Sequence, residues 1–153
     1  MKRNILRLLC TAWVAVFALA GCKTTDEAKQ GYLASVVITG HSEEVIRRTT
    51  TEVFEWNGYK HLTNLAFEKQ GTKWDTAKYG GLSGNPVWVK MRVTINRQAE
   101  INFVVGCDAY VVEDRDVIFM EEERKLQFGK RDDCKKILNQ IKQRLSLPAP
   151  KPQ

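Results

Sequence analysis

Histidine is nearly missing from this sequence, with two residues in 153, and the two, His41 and His61, stand apart. That scarcity argues against a histidine-rich metal centre, and no further cysteine or histidine completes a zinc ligand set at the usual spacing. None of the short catalytic signatures occurs either: there is no Ser-x-x-Lys, no His-Glu-x-x-His and no Gly-x-Ser-x-Gly. Basic residues never gather into a long block, so the stripe that a nucleic-acid-binding surface needs is absent. Proline is confined to Pro86 and three residues of the final six, Pro148, Pro150 and Pro152. Cysteine is sparse and none is arranged as Cys-x-x-Cys, which argues against a thioredoxin-like redox pair. These absences exclude classes of function without naming one, and no cofactor or metal is expected.

The informative stretch lies at the start. Lys2, Arg3 and Arg7 precede an apolar run from Leu8 to Leu19, followed by Ala20, Gly21 and Cys22. A basic head, a short apolar core and small residues before a cleavage point form a secretory signal. The core is shorter than the ~20 residues of a membrane span, and no twin arginine directs the chain to the folded-protein export route. Leu19-Ala20-Gly21-Cys22 resembles the lipobox of bacterial lipoproteins. The resemblance covers residues 1–22 and implies cleavage between Gly21 and Cys22, with diacylglycerol joined to the Cys22 thiol and an acyl group such as palmitate on the new amine. Two or three acyl chains hold a protein firmly to a bilayer where one holds it only marginally. In enterobacterial lipoproteins Asp after the lipidated cysteine favours inner-membrane retention. Lys23 stands there in this chain, which leans toward an outer membrane facing the periplasm.

Removing residues 1–21 takes away three cations and no anion, so the net charge falls from +6 to +3. About 130 residues remain, enough for one small domain with a modest core. Residues 22–33 hold the lipidated cysteine and a polar tether, 34–147 a single domain, and 148–153 a proline-rich extended tail.

Within the domain, Ala34–Thr39 is β-branched and reads as a strand ended by Gly40. Ser42 suits a helix N-cap with Glu43 and Glu44 in the first turn, and Asn57-Gly58 supplies the stop, predicting a helix over 42–57 with an apolar face of Val45, Ile46, Thr49, Val53 and Trp56. A strand is expected near 63–70. Residues 71–86 lack a period and read as a long turn-rich loop carrying Trp74 and Tyr79. Val87, Val89, Met91, Val93 and Ile95 alternate with Trp88, Lys90, Arg92 and Thr94, the pattern of a strand with one buried face. A turn at Asn96-Arg97-Gln98 and a second alternating strand with Ile101, Phe103, Val105, Cys107 and Ala109 inward would complete a hairpin. A short strand or arm covers 110–120, and the charged run 121–125 precedes the last helix. That helix begins at Asp132 or Asp133, carries the stripe Cys134, Ile137, Leu138, Ile141 and Leu145, and stops at Pro148. The expected fold is α+β: a small two-layer domain with an antiparallel sheet of about four strands and two helices packed on one face.

Cys107 falls on the apolar side of its strand and Cys134 on the apolar stripe of its helix, so packing that helix on that face aims both sulfurs into one space. In an oxidising compartment this favours a disulfide; the alternative is two separate buried thiols. The binding candidates are the 71–86 loop and the outer strand face, with Trp74, Tyr79, Trp88 and Arg92; a loop whose aromatics cover the edge of a small core is the plainer alternative. His41 and Ser42 could serve a hydrolase only with an acid and an oxyanion site supplied from elsewhere, and Ser42 is better explained as a cap. The expected role is therefore a non-enzymatic, membrane-anchored envelope lipoprotein that binds a protein or a polymer. An envelope hydrolase and a ligand-free spacer are the alternatives. The lipid bilayer is the one partner implied directly, and nucleic acid is not expected.

Overall fold

The computed structural model describes residues 31–80, 85–114 and 121–147. The signal segment, Cys22, the first part of the tether and the proline-rich tail lie outside the described residues, as do parts of the 71–86 loop and the 110–120 arm.

The chain is α+β, and its described residues form a six-stranded antiparallel sheet and three helices. In order the elements are β1 (Ala34–Thr39), α1 (Glu43–Trp56), β2 (Lys60–His61), β3 (Ala66–Gln70), α2 (Lys73–Tyr79), β4 (Trp88–Ala99), β5 (Asn102–Glu113), β6 (Glu122–Lys125) and α3 (Arg131–Ser146). The sheet runs β1-β5-β4-β3-β2, with β6 also on β5. The long β5 serves two neighbours on one flank: Asn102 to Cys107 pair with β1, and Tyr110 to Glu113 pair with β6. Two strands and one helix more than expected come from short elements, β2, β6 and α2.

The two long helices stand where they are expected. Ser42 accepts the Val45 N–H and caps α1, while Gly58, at a φ of 78°, turns the chain away just after its end. All five residues of the α3 stripe are buried. Both helices lie on one sheet face. There Phe54 of α1 stacks on Phe67 of β3 at 4.1 Å between ring centroids, and Val89, Met91, Val105, Cys107 and Ala109 complete the core. No helix among the described residues is long and apolar enough to cross a membrane.

Several expectations are corrected. Trp56 is 76% exposed and leaves the core face of α1 to Ile46, Thr50, Val53 and Phe54. Thr50 fits that apolar position because its hydroxyl donates to the Ile46 carbonyl one turn back, at 2.7 Å. The 71–86 segment is not all loop, since α2 occupies its first half. The hairpin turns at Glu100-Ile101 and not at 96–98, because β4 runs on to Ala99. Ile101 therefore stands in the turn and is exposed, and a register shift between Arg97 and Ala99 marks an irregularity of β4 just before it. The charged run Glu122–Lys125 is itself a strand, and a short charged edge strand resists pairing with other chains.

The turn into β3 is tight. Asn64 and Leu65 both take positive φ, 47° and 59°, and the Ala66 N–H donates to the Thr63 carbonyl at 2.8 Å. Two successive left-handed residues make the mirror-image turn that suits a hairpin's twist. Leucine is a costly occupant of that conformation, and the burial of its side chain offsets the cost.

Candidate functional site

The helical layer carries an open concavity. Helices α1 and α3 run side by side in opposite directions: Asn57 at the end of α1 donates to the Gln140 side chain at 2.8 Å, and Arg144 reaches Glu52 at 3.4 Å. Their outer faces diverge into an open groove of about 730 Å³, lined by Glu52, Glu55, Trp56, Gln143, Arg144 and Leu147. Trp56 is 76% exposed there and Leu147 63%. Two large apolar groups are thus exposed in one open groove. The sequence reading missed it by placing Trp56 in the core. Its signal was Phe54, which cannot share one narrow helical face with Trp56 because the two lie roughly 200° apart around the axis.

The open sheet face is chemically different. Lys90 and Arg92 of β4 both meet Glu123 of β6, at 2.8 and 2.6 Å. Arg92 also lies over the Tyr110 ring, 4.4 Å from its centroid. Lys125 meets Asp108 at 2.9 Å, and this hydrogen bond holds the lysine above its ordinary range. Asp108 also accepts the Leu33 N–H at 3.0 Å. Each cation of this cluster thus faces an anion, and the face is largely self-neutralised. Trp88 is half-buried and Arg92 is exposed on this same face. A hollow of about 360 Å³ beside them is lined by Leu62, Thr63, Asn64, Lys90, Arg92 and Thr94.

Trp74 and Tyr79 belong to α2 and part company. Thr72 and Asp75 close a reciprocal cap: the Asp75 carboxylate accepts the Thr72 N–H at 2.8 Å, and the Asp75 N–H donates to the Thr72 hydroxyl at 3.2 Å. Trp74 then points outward, 66% exposed, with the Lys78 ammonium 4.8 Å from its ring centroid. Tyr79 packs against the core, and its buried hydroxyl has no hydrogen-bond partner among the described residues. A Cβ on Gly129 would collide with that hydroxyl, so a larger residue there would displace the Tyr79 side chain. Of the four sequence-predicted binding residues, Trp88 and Arg92 share a strand face, Trp74 stands outward on α2, and Tyr79 is turned inward.

Under the sheet, the Cys107 and Cys134 thiols are fully buried with their sulfurs 3.1 Å apart. The hydrogen bond with Cys134, followed by burial, pushes the Cys107 thiol well above the usual range, so the thiolate is disfavoured. Tyr59 is nearby. Burial first, then the Asp133 charge, raises its hydroxyl far above the ordinary phenol value. Lys69 covers its ring at 4.1 Å and is itself lowered, chiefly by burial.

His41 lines a shallow hollow of about 220 Å³ with Thr39, Lys142, Leu145 and Ser146. The neighbouring Ser42 hydroxyl accepts the Val45 N–H at 3.4 Å, a capping role. Among the described residues no group of three or more His, Cys, Asp or Glu is placed to hold a metal ion. No protein-family model matches the chain, no curated protein does, and no solved structure does.

Proposed function

We propose that this chain is a lipid-anchored, non-enzymatic binding module of a bacterial envelope, attached through Cys22 and taking its partner in the groove between α1 and α3. The observation that carries the binding role is the exposure of Trp56 and Leu147 in one groove while Ile46, Val53, Phe54, Ile137, Leu138 and Ile141 of the same helices are buried. The charge of the groove selects the partner. Arg144 faces Glu52, and Glu55 adds a second carboxylate to the lining, so the lining is net negative. An envelope protein offering an apolar segment with a lysine or arginine is the complementary ligand. The lipobox-like Leu19-Ala20-Gly21-Cys22 supports the address, and Lys23 supports an outer membrane where the host has two.

Probing the mature protein against an array of varied short peptides tests the site. Apolar-basic sequences should be enriched, with binding lost in Trp56→Ala and weakened in Glu55→Lys. Enrichment of acidic sequences, or binding indifferent to both substitutions, overturns the groove as the site. Hydrolysis of an ester or peptide panel that disappears in His41→Ala overturns the non-enzymatic reading.

A further inference from the structure

We infer that Cys107 and Cys134 are joined by a disulfide in the exported protein, and that the bond closes before the core does. The inference rests on the envelope address proposed above for its oxidising surroundings, and on geometry for everything else.

The two sulfurs come from elements far apart in the chain, 27 residues from one to the other, yet lie 3.1 Å apart. That is closer than sulfur atoms sit in ordinary van der Waals contact. Reaching the S–S bond length of ~2.05 Å requires only about 1 Å of further approach. Cys107 is paired with Ala34 on one side and Val93 on the other, in the middle of the sheet. Cys134 stands in the first turn of α3, and the two are held by the packing of the whole helical layer. Pairing has no rival: the remaining cysteines, Cys10 and Cys22, fall in the signal segment and at the lipid-bearing position.

The bond would also supply what the start of α3 lacks. Lys130 occupies the N-cap position, and its side chain makes no capping hydrogen bond. A crosslink one turn in would pin this end to β5. Because both sulfurs are fully buried, a dissolved oxidant cannot reach them in the folded domain, nor can a reductant reach the finished bond. The exchange therefore belongs to the unfolded or part-folded chain. One thiol, as its thiolate, attacks an external disulfide, either a low-molecular-weight one or that of a thiol–disulfide oxidoreductase, and expels one thiol from it. The second cysteine then displaces the other half from the mixed disulfide. Two protein thiols and one external disulfide become one protein disulfide and two external thiols. The product is a permanent staple and not a thiol switch.

Two preparations test this. The lipoprotein extracted from its host with thiols alkylated at harvest, then digested without reduction, should yield a peptide containing Cys107 joined to one containing Cys134. Separately, the full chain carrying Cys10→Ser and Cys22→Ser is unfolded, reduced and refolded in detergent with oxidised and reduced glutathione. The bridge should form there, and at least about tenfold more slowly when the same mixture is added to protein already folded in its reduced form. The chain refolded in its reduced form should melt at least about 5 °C below the bridged one, a difference absent when the further variant Cys107→Ala/Cys134→Ala is refolded with and without the oxidant. No bridge in either preparation overturns the pairing. Equal rates from folded and unfolded protein overturn the order of closure. A bridge in the refolded chain with free thiols in the host overturns the envelope address while the pairing stands.

Discussion

The Lys130 ammonium meets the Asp75 carboxylate at 2.6 Å, with only 13% and 5% of the two side chains exposed. Asp75 closes the cap of α2 and Lys130 is the residue before α3, so one ion pair ties the short helix to the start of the last one. Lys130 also reaches Asp133 at 3.2 Å. A pair this sheltered is held together less by its net attraction than by the cost of leaving either charge alone. Asp75→Ala should destabilise the domain by about 3 kcal/mol, since it leaves a sheltered ammonium and removes a cap. Lys130→Met should cost a similar amount, and the double variant clearly less than the sum. Denaturant titration of the four proteins measures this; strict additivity would show that the pair is not coupled.

The same residues set the pH limits. Burial pushes the Asp75 carboxyl up, but hydrogen bonds from Lys130 and Thr72 outweigh it and hold the group below its ordinary 3.8. A depressed carboxyl contributes stability that is present above 3.8 and lost as pH falls through the lower folded value. Burial depresses Lys130, but its hydrogen bonds to Asp75 and Asp133 carry it above 10.5. Its contribution is present below 10.5 and lost at higher pH, and Tyr59, raised from 10.0 chiefly by burial, loses stability in the same direction. Melting temperature should be flat through neutrality and fall below about pH 4 and above about pH 10. Asp75→Asn should flatten the acid limb; an unchanged acid limb would assign it to other carboxylates.

Tyr32 lies across Gly106, where a Cβ would collide with the ring, and its hydroxyl accepts the Asn96 amide at 2.5 Å. Gly106→Ala should therefore destabilise by about 1–3 kcal/mol through overpacking. Tyr32→Ala/Gly106→Ala should recover part of that loss relative to Tyr32→Ala alone. If Gly106→Ala is neutral, the ring does not hold this position in solution.

Phe54 and Trp56, two residues apart, should behave oppositely. Phe54→Ala removes a fully buried ring stacked on Phe67 and edge-on to Tyr59, and should cost about 3–5 kcal/mol. Trp56→Ala should change stability by less than about 0.5 kcal/mol, because its ring stands in the groove. A large loss at Trp56 would mean that the groove is closed in solution.

The anchor has a direct check. Cys22→Ser should abolish incorporation of a fatty-acid label and leave an unprocessed or released protein. Label retained in that variant would exclude Cys22 as the lipid site.

Long periodic segments were legible in the sequence because burial on one face writes itself into residue order. The stripe Cys134, Ile137, Leu138, Ile141, Leu145 and the alternation of Val87, Val89, Met91 and Val93 each repeat often enough to set helix or strand, and their polarity contrast assigns the buried side. The α3 stripe and the like alternation of Phe103, Val105, Cys107 and Ala109 in β5 also brought Cys107 and Cys134 onto facing surfaces. What they could not supply was decided by contacts between distant segments. Helix α2 has seven residues, too short to persist on its own, and it draws on Asp75 meeting Lys130 across the fold. Strand β6 is a charged run whose partners, Lys90, Arg92 and Asp108, lie on other strands. Ile101 left the core because β4 runs on to Ala99 and puts Ile101 in the turn itself. Phe54 and Trp56 compete for one helical face; Phe54 took the core, and the position of α3 decided that the Trp56 ring lines a groove. Local periodicity determined the elements and their buried faces; only the tertiary packing decided which boundary residues stayed exposed.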